Sequence, residues 1–174
     1  IEGATTYDNI DSPEIFYKVG KAFGKFQKRL ADYPTEDPVM ALHEAIPNFH
    51  DTPDRYSDLE WAIKLDKAGR LKAVEDDEEH PLNVAIAKIR SYKEKLERLE
   101  LGKRAGELPI RVTHNDTKIN NVMIDVETGE AICVIDLDTI MPGMSMYDFA
   151  DAVRFIANTA VEDEADLSRV SFDT

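Results

Sequence analysis

A short stretch of the C-terminal half holds side chains of the types, and at the spacing, that phosphoryl transfer requires. Thr113-His114-Asn115-Asp116-Thr117-Lys118-Ile119-Asn120-Asn121 is dense in amides and carboxylate, and Ile135-Asp136-Leu137-Asp138 follows it. A carboxylate such as Asp116 can orient an attacking hydroxyl and accept its proton. The amide oxygen of Asn121 and the carboxylate of Asp136 are hard oxygen ligands of the kind that Mg²⁺ shares with substrate phosphates. Lys118 is placed to supply positive charge. Such a transfer needs little beyond positioning and charge neutralisation. The plainer reading is that Asn and Asp serve here as turn formers bonded to their own backbone.

The elements around these residues have to hold them. Ile110-Arg111-Val112-Thr113 alternates as a strand, Val122-Met123-Ile124 is a short apolar strand, and Ala131 to Ile135 reads as a buried one. Glu127-Thr128-Gly129-Glu130 supplies the turn that makes the last two a hairpin. The polar loop thus lies between two strands, and the second hairpin strand runs directly into Asp136. A helix begins near Ser145, with Asp148 three residues on as a capping-box variant and Phe149, Val153, Ile156 and Ala160 as its apolar face.

Upstream the pattern is helical. Ile1 to Tyr7 has neither a helical period nor a strand partner nearby. Asp11-Ser12-Pro13-Glu14 reads as a helix start, and Ile15, Phe16, Val19, Phe23, Phe26 and Leu30 then fall on one face. Gly20 and Gly24 on that helix would admit a close neighbour. Residues 33–52, with Pro34, Pro38 and Pro47, read as irregular. A second helix is predicted over Asp54 to Lys67, burying Tyr56, Leu59, Ala62 and Leu65. Asp76-Asp77-Glu78-Glu79 reads as a solvated acidic cap on a helix that Pro81 opens. Leu82, Ile86, Ile89, Tyr92, Leu96 and Leu99 form its apolar stripe, and Gly102 and Gly106 end it. The fold class is therefore α+β, mostly helical, with one small β element carrying the chemistry.

Composition sets the outer limits. The chain has 174 residues, 43% of them hydrophobic, which is enough for a packed core. Its formal charge of −14 opposes binding to phosphate backbones and anionic lipid, so neither nucleic acid nor a membrane is an expected partner. Apolar runs are too short to span a bilayer, and no export leader opens the sequence. The single cysteine, Cys133, sits in an apolar run and reads as a small core residue in a reducing compartment. Together these predict a soluble cytoplasmic protein.

His114-x-Asp116-x-Lys118-x-x-Asn121 followed by Ile135-Asp136 resembles the catalytic and metal-binding segments of the protein-kinase-like fold. The small-molecule branch, the relatives of aminoglycoside phosphotransferases and choline kinases, fits better than protein kinases. Asn115 stands where those carry Arg, and Asp136-Leu137-Asp138 replaces Asp-Phe-Gly. Thr113 to Lys118, Val134 to Gly143 and Tyr147 to Phe155 are similar to the N-acetylhexosamine 1-kinase group. Pro47-Asn48-Phe49-His50-Asp51-Thr52 adds a weaker likeness.

The resemblance implies an ATP- and Mg²⁺-dependent kinase of a small-molecule hydroxyl, with the anomeric hydroxyl of an N-acetylhexosamine as acceptor. Asp116 would be the catalytic base and Lys118 a contact of the transferring phosphate. Asn121 and Asp136 would hold the metal, and Asp138 would assist it or orient the sugar. Met123 would form the floor of the adenine pocket, with Ile135 and Asn121 also against the nucleotide. His114 would fix the loop, and Asp148 would tie its helix to it. The family also has an N-terminal nucleotide lobe. Residues 1–174 thus read as a C-terminal catalytic lobe, inactive without that lobe, with residues 1–10 as the hinge. Two other readings compete. One is a metallohydrolase using His114, Asp116, Asp136 and Asp138, which would have no need of Asn121. The other is a non-catalytic binding module of the same fold.

Overall fold

The computed structural model describes residues 1–8, 12–35, 37, 39–160 and 164–171. Asp11 of the predicted helix start, Asn9 and Ile10 of the hinge, Pro38 and residues 172–174 lie outside them. Two compact units form: Ile1–Pro47 with Ile110–Thr174, and Asn48–Pro109. Among the described residues, five α-helices and short antiparallel sheets make the α+β class predicted above.

The first unit is built on α1 (Pro13–Arg29) and two small sheets. Strands β1 (Ala4–Thr5), β3 (Val122–Asp125) and β4 (Ala131–Val134) form one sheet in the order β1-β3-β4. The opening residues therefore do find a strand partner: Ala4 pairs with Asp125 and Thr5 with Ile124. Strands β2 (Arg111–Thr113) and β5 (Met141–Gly143) form the second sheet, and α5 (Ser145–Ala157) follows. The four-residue step from Val19 to Phe23 puts both on one face of α1, and they are buried with Ile119, Val122 and Ile124. This core lies directly beneath the polar loop.

Several local expectations fail for identifiable reasons. Helix α1 starts at Pro13, but Ser12 makes no side-chain cap bond among the described residues. Gly20 and Gly24 are exposed, with open space where a Cβ would stand, so among the described residues no segment makes the close approach expected there. Ser145 and Asp148 do not form a capping box, because the Asp148 side chain is buried against the polar loop instead. That rotation turns the apolar stripe of α5 outward, leaving Phe149 74% exposed, with Val153 and Ile156 also exposed.

The second unit holds α2 (Thr52–Leu65), α3 (Pro81–Ser91) and α4 (Lys93–Arg104). Asp51 caps α2, accepting from the Asp54 N–H at 3.0 Å, and also pairs with Arg104. Burial pushes the Asp51 carboxyl up, but Arg104 and the Asp54 amide outweigh it and hold the group below its usual range. Of the residues predicted to be buried on α2, Tyr56 and Leu59 are half-buried while Ala62 and Leu65 are exposed. The single helix predicted from Pro81 is two. The Ser91 hydroxyl donates to the Lys88 carbonyl at 2.7 Å and the Tyr92 N–H reaches only back to Ile89, which interrupts the regular ladder. Ile89, Tyr92, Leu96 and Leu99 are left exposed, and α4 runs through Gly102 to end before Gly106, whose φ is +73°. The acidic run Asp76–Glu79 is exposed as expected, while the cap of α3 is the His80 ring, accepting from the Leu82 N–H.

Two measurements test this packing. A Cβ at Gly143 would lie 2.5 Å from Thr113 Oγ1 and 3.2 Å from Tyr147 Cδ2, so nothing larger fits between β2 and α5. Gly143→Ala should lower stability by about 1–3 kcal/mol in a urea titration. In the second unit, Glu60 accepts from Arg90 at 2.8 and 2.7 Å and from the Tyr56 hydroxyl at 2.9 Å. These partners lower its carboxyl from 4.5 to about 2. A depressed folded value means that the contribution is complete above the unfolded value and is lost as pH falls towards the folded one. The stability difference between wild type and Glu60→Gln should therefore be constant near neutrality and shrink between pH 4.5 and about 2.

Candidate active site

The loop between β2 and β3 is shaped by one buried carboxylate. Asp148, near the start of α5, accepts from the His114 N–H at 3.1 Å with one oxygen and from the Asn115 N–H at 2.8 Å with the other. The Gln27 side chain of α1 donates to it at 2.7 Å. The chain then turns at Asn115 through the left-handed region, with φ 66°. Asn is among the few residues that tolerate this. Its side-chain amide donates to the Thr139 carbonyl at 2.8 Å, while the Thr139 hydroxyl donates to the His114 carbonyl at 2.7 Å. The loop and the segment after Asp136 are thus bolted together.

His114 is fully buried, with Phe23 and Phe26 edge-on to its ring at 5.3 and 5.8 Å. Its Nδ1 accepts from the Asp116 N–H at 3.3 Å, which leaves Nε2 to donate to the Ile135 carbonyl at 2.9 Å. The imidazole therefore spans from the loop to the strand end, and its role is support. Next, the Thr117 N–H donates to Asp151 at 2.7 Å and its hydroxyl to the Asp148 carbonyl at 2.6 Å. Arg154 on the same helix binds Asp151 at 2.9 Å and so steadies that contact.

Asp116 stands at the apex of the loop. The Asn121 amide donates to its backbone carbonyl at 2.8 Å and to its Oδ2 at 2.9 Å, and Lys118 Nζ lies 3.2 Å from its Oδ1. Asp116, Lys118 and Asn121 are therefore in one cluster. The Ile135 N–H donates to the Asn121 carbonyl at 2.9 Å, which sets the strand end bearing Asp136 beside Asn121. Asp136 is left-handed, with φ 59°, and exposed. Asp138 is exposed one turn on. Met123 pairs with Cys133 across the hairpin, and Ile135 is half-buried.

Asn121 Oδ1 and the carboxylates of Asp136 and Asp138 make no hydrogen bond or ion pair among the described residues. They are hard oxygen donors with capacity to spare, which is the chemistry Mg²⁺ favours. No group of three His, Cys, Asp or Glu side chains among the described residues is gathered as a metal cluster. His43, His50 and His80 accordingly take no part in one.

The model of the phosphotransferase enzyme family, APH, matches residues 1–170. The chain belongs to that family. Membership implies a kinase-type, ATP-dependent phosphotransferase with a small-molecule substrate. No helix among the described residues is long and apolar enough to cross a membrane.

The sequence pointed to His114, Asp116, Lys118, Asn121, Asp136 and Asp148, and it missed the parts that hold them. Gln27 lies in no motif, and Thr139 and Asp151 fall inside strings of family likeness without being singled out there, because each acts across more than 20 residues of chain. Only the Asp148–Asp151 step, one turn of a helix, could have drawn attention to Asp151. Replacing Asp148 by Ala strands the two buried loop amides, at about 1–3 kcal/mol each. Chemical denaturation of Asp148→Ala should show at least one such increment, and activity should fall with it.

Proposed function

We propose that the protein transfers the terminal phosphoryl group of ATP to the hydroxyl of a small molecule, and that the acceptor is the anomeric hydroxyl of an N-acetylhexosamine, giving a sugar 1-phosphate. The observation that carries the first half is the Asp116 cluster. A carboxylate at a loop apex is fixed by an amide and flanked by a lysine, with spare oxygen ligands on the adjoining strand end.

The Asn121 amide occupies Asp116 Oδ2, so the free lone pair on Oδ1 is the one that receives the acceptor proton. As that proton moves, the acceptor oxygen bonds to the terminal phosphorus, and the bond from phosphorus to the bridging oxygen breaks, releasing ADP. Lys118 faces the same oxygen and meets the charge that develops on the transferring group. Asn121 Oδ1, Asp136 and Asp138 would hold Mg²⁺, which would supply neutralisation of the phosphate charge. Met123 and Ile135 lie against the nucleotide base. His114 and Asp148 hold Asp116 in place and touch neither reactant.

The sugar assignment is supported by the likeness of Thr113–Lys118, Val134–Gly143 and Tyr147–Phe155 to the N-acetylhexosamine 1-kinase group. Asp138 offers a second carboxylate for a sugar hydroxyl. On this reading the described residues belong to the catalytic lobe, and residues 1–10 lead to a nucleotide-binding lobe that completes the grip on ATP. The lone thiol of Cys133 suits a reducing compartment, and we assign the protein to the cytoplasm.

The test is phosphorus NMR of the full-length protein with ATP, Mg²⁺ and a panel of N-acetylhexosamines, aminoglycosides and choline. A new sugar 1-phosphate resonance is expected, falling by about 10²- to 10⁴-fold in Asp116→Asn. ADP formed with another acceptor would keep the kinase and discard the sugar. No ATP consumption with any acceptor would favour a binding module. Asn121→Ala should raise the Mg²⁺ concentration for half-maximal rate, which a hydrolase built on the carboxylates alone would not show.

A further inference from the structure

A pocket of about 510 Å³ lies between α1 and β4, on the first unit and outside the proposed phosphotransfer chemistry. Lys18, Lys21, Lys25 and Arg29 line one wall, against one carboxylate, Glu130. Lys18 is occupied by Glu14 at 3.0 Å and Glu130 at 3.3 Å. Lys21 lies over the Tyr17 ring at 5.8 Å, and among the described residues Lys21, Lys25 and Arg29 form no ion pair. In a chain of net charge −14, three uncompensated cations in a row mark a place where an anion is favoured. The opposite wall is apolar, and two of its residues face solvent, Ile132 at 45% and Leu137 at 52% exposure.

The two walls run side by side. Lys18 meets Glu130 at one end, while at the other Phe26 packs on His114, whose ring binds the Ile135 carbonyl. Lys21, Lys25 and Arg29 recur at four-residue steps, about 6 Å along a helix axis. Same-side residues of an extended chain recur at about 6.8 Å. The match over three positions is close, and an extended chain presents its alternate side chains to opposite walls. Although β4 is an edge strand, Ile132 is the extra residue of a bulge in it, and such bulges interrupt further strand pairing. Side chains, not a ladder, would therefore hold the segment.

We propose that this groove binds an extended segment of a partner protein in which acidic residues alternate with apolar ones. The acids meet Lys21, Lys25 and Arg29, and the apolar side chains meet Ile132 and Leu137. The proposal is independent of the phosphotransfer reading.

The probe is a fluorescent heptapeptide of alternating glutamate and leucine, titrated with the full-length protein and followed by anisotropy. Saturable binding is expected, weakened at least about tenfold by the exposed charge reversals Lys25→Glu with Arg29→Glu. Lys64→Glu with Lys95→Glu changes the net charge equally on another unit and should leave binding within about twofold. The counterpart with glutamine for glutamate, tested on the unaltered protein, should bind at least about tenfold more weakly. So should an all-glutamate peptide, which lacks the apolar half. The proposal is overturned by the absence of saturable binding, by equal loss in both charge-reversed pairs, or by equal binding of the all-glutamate peptide. The last result would mark a simple anion site.

Discussion

The turn of the loop at His114 and Asn115 is tied to α1 and α5 through the carboxylate of Asp148. A buried carboxylate is costly unless its lone pairs are satisfied, and here three N–H donors satisfy it: the amides of His114 and Asn115 and the side chain of Gln27. That requirement fixes where α1, α5 and the loop stand with respect to one another. Immediately after these two amides the chain turns through the left-handed region at Asn115, with φ 66°. With the turn set, Asp116 projects from the loop and His114 points inward, each one residue from Asn115.

The same constraint explains the outward face of α5. A helix can present only one side to its support, and Asp148 and Asp151 take that side for polar contacts with the loop. Phe149, Val153 and Ile156 are left facing away. Patterning by hydrophobicity predicts the reverse, because it weighs only apolar burial. Here the buried loop amides are satisfied from α5 while its three apolar side chains stay exposed.

What the sequence disclosed follows the same division. Strands β2, β3 and β4 and the core face of α1 were legible because each is a short-range pattern: alternation, an apolar run, or steps of four. Asp116, Lys118, Asn121 and Asp136 were legible because their spacing within the chain is itself the signal. Gln27, Thr139 and Asp151 were not, since their partners lie far along the chain and their residue types are common. The break at Tyr92 escaped for another reason. Neither Pro nor Gly marks it, and the interruption comes from the Ser91 hydroxyl competing with the backbone for the Lys88 turn.

That break also bears on how the second unit comes together. An unbroken helix from Pro81 to Arg104 would be long enough to persist briefly by itself in the unfolded chain. Divided, it yields helices of 11 and 12 residues, and isolated helices below about 12–15 residues are marginal in water. Each piece is therefore marginal by itself and owes its persistence to packing within the unit, where Arg104 at the end of α4 reaches Asp51 at the start of α2.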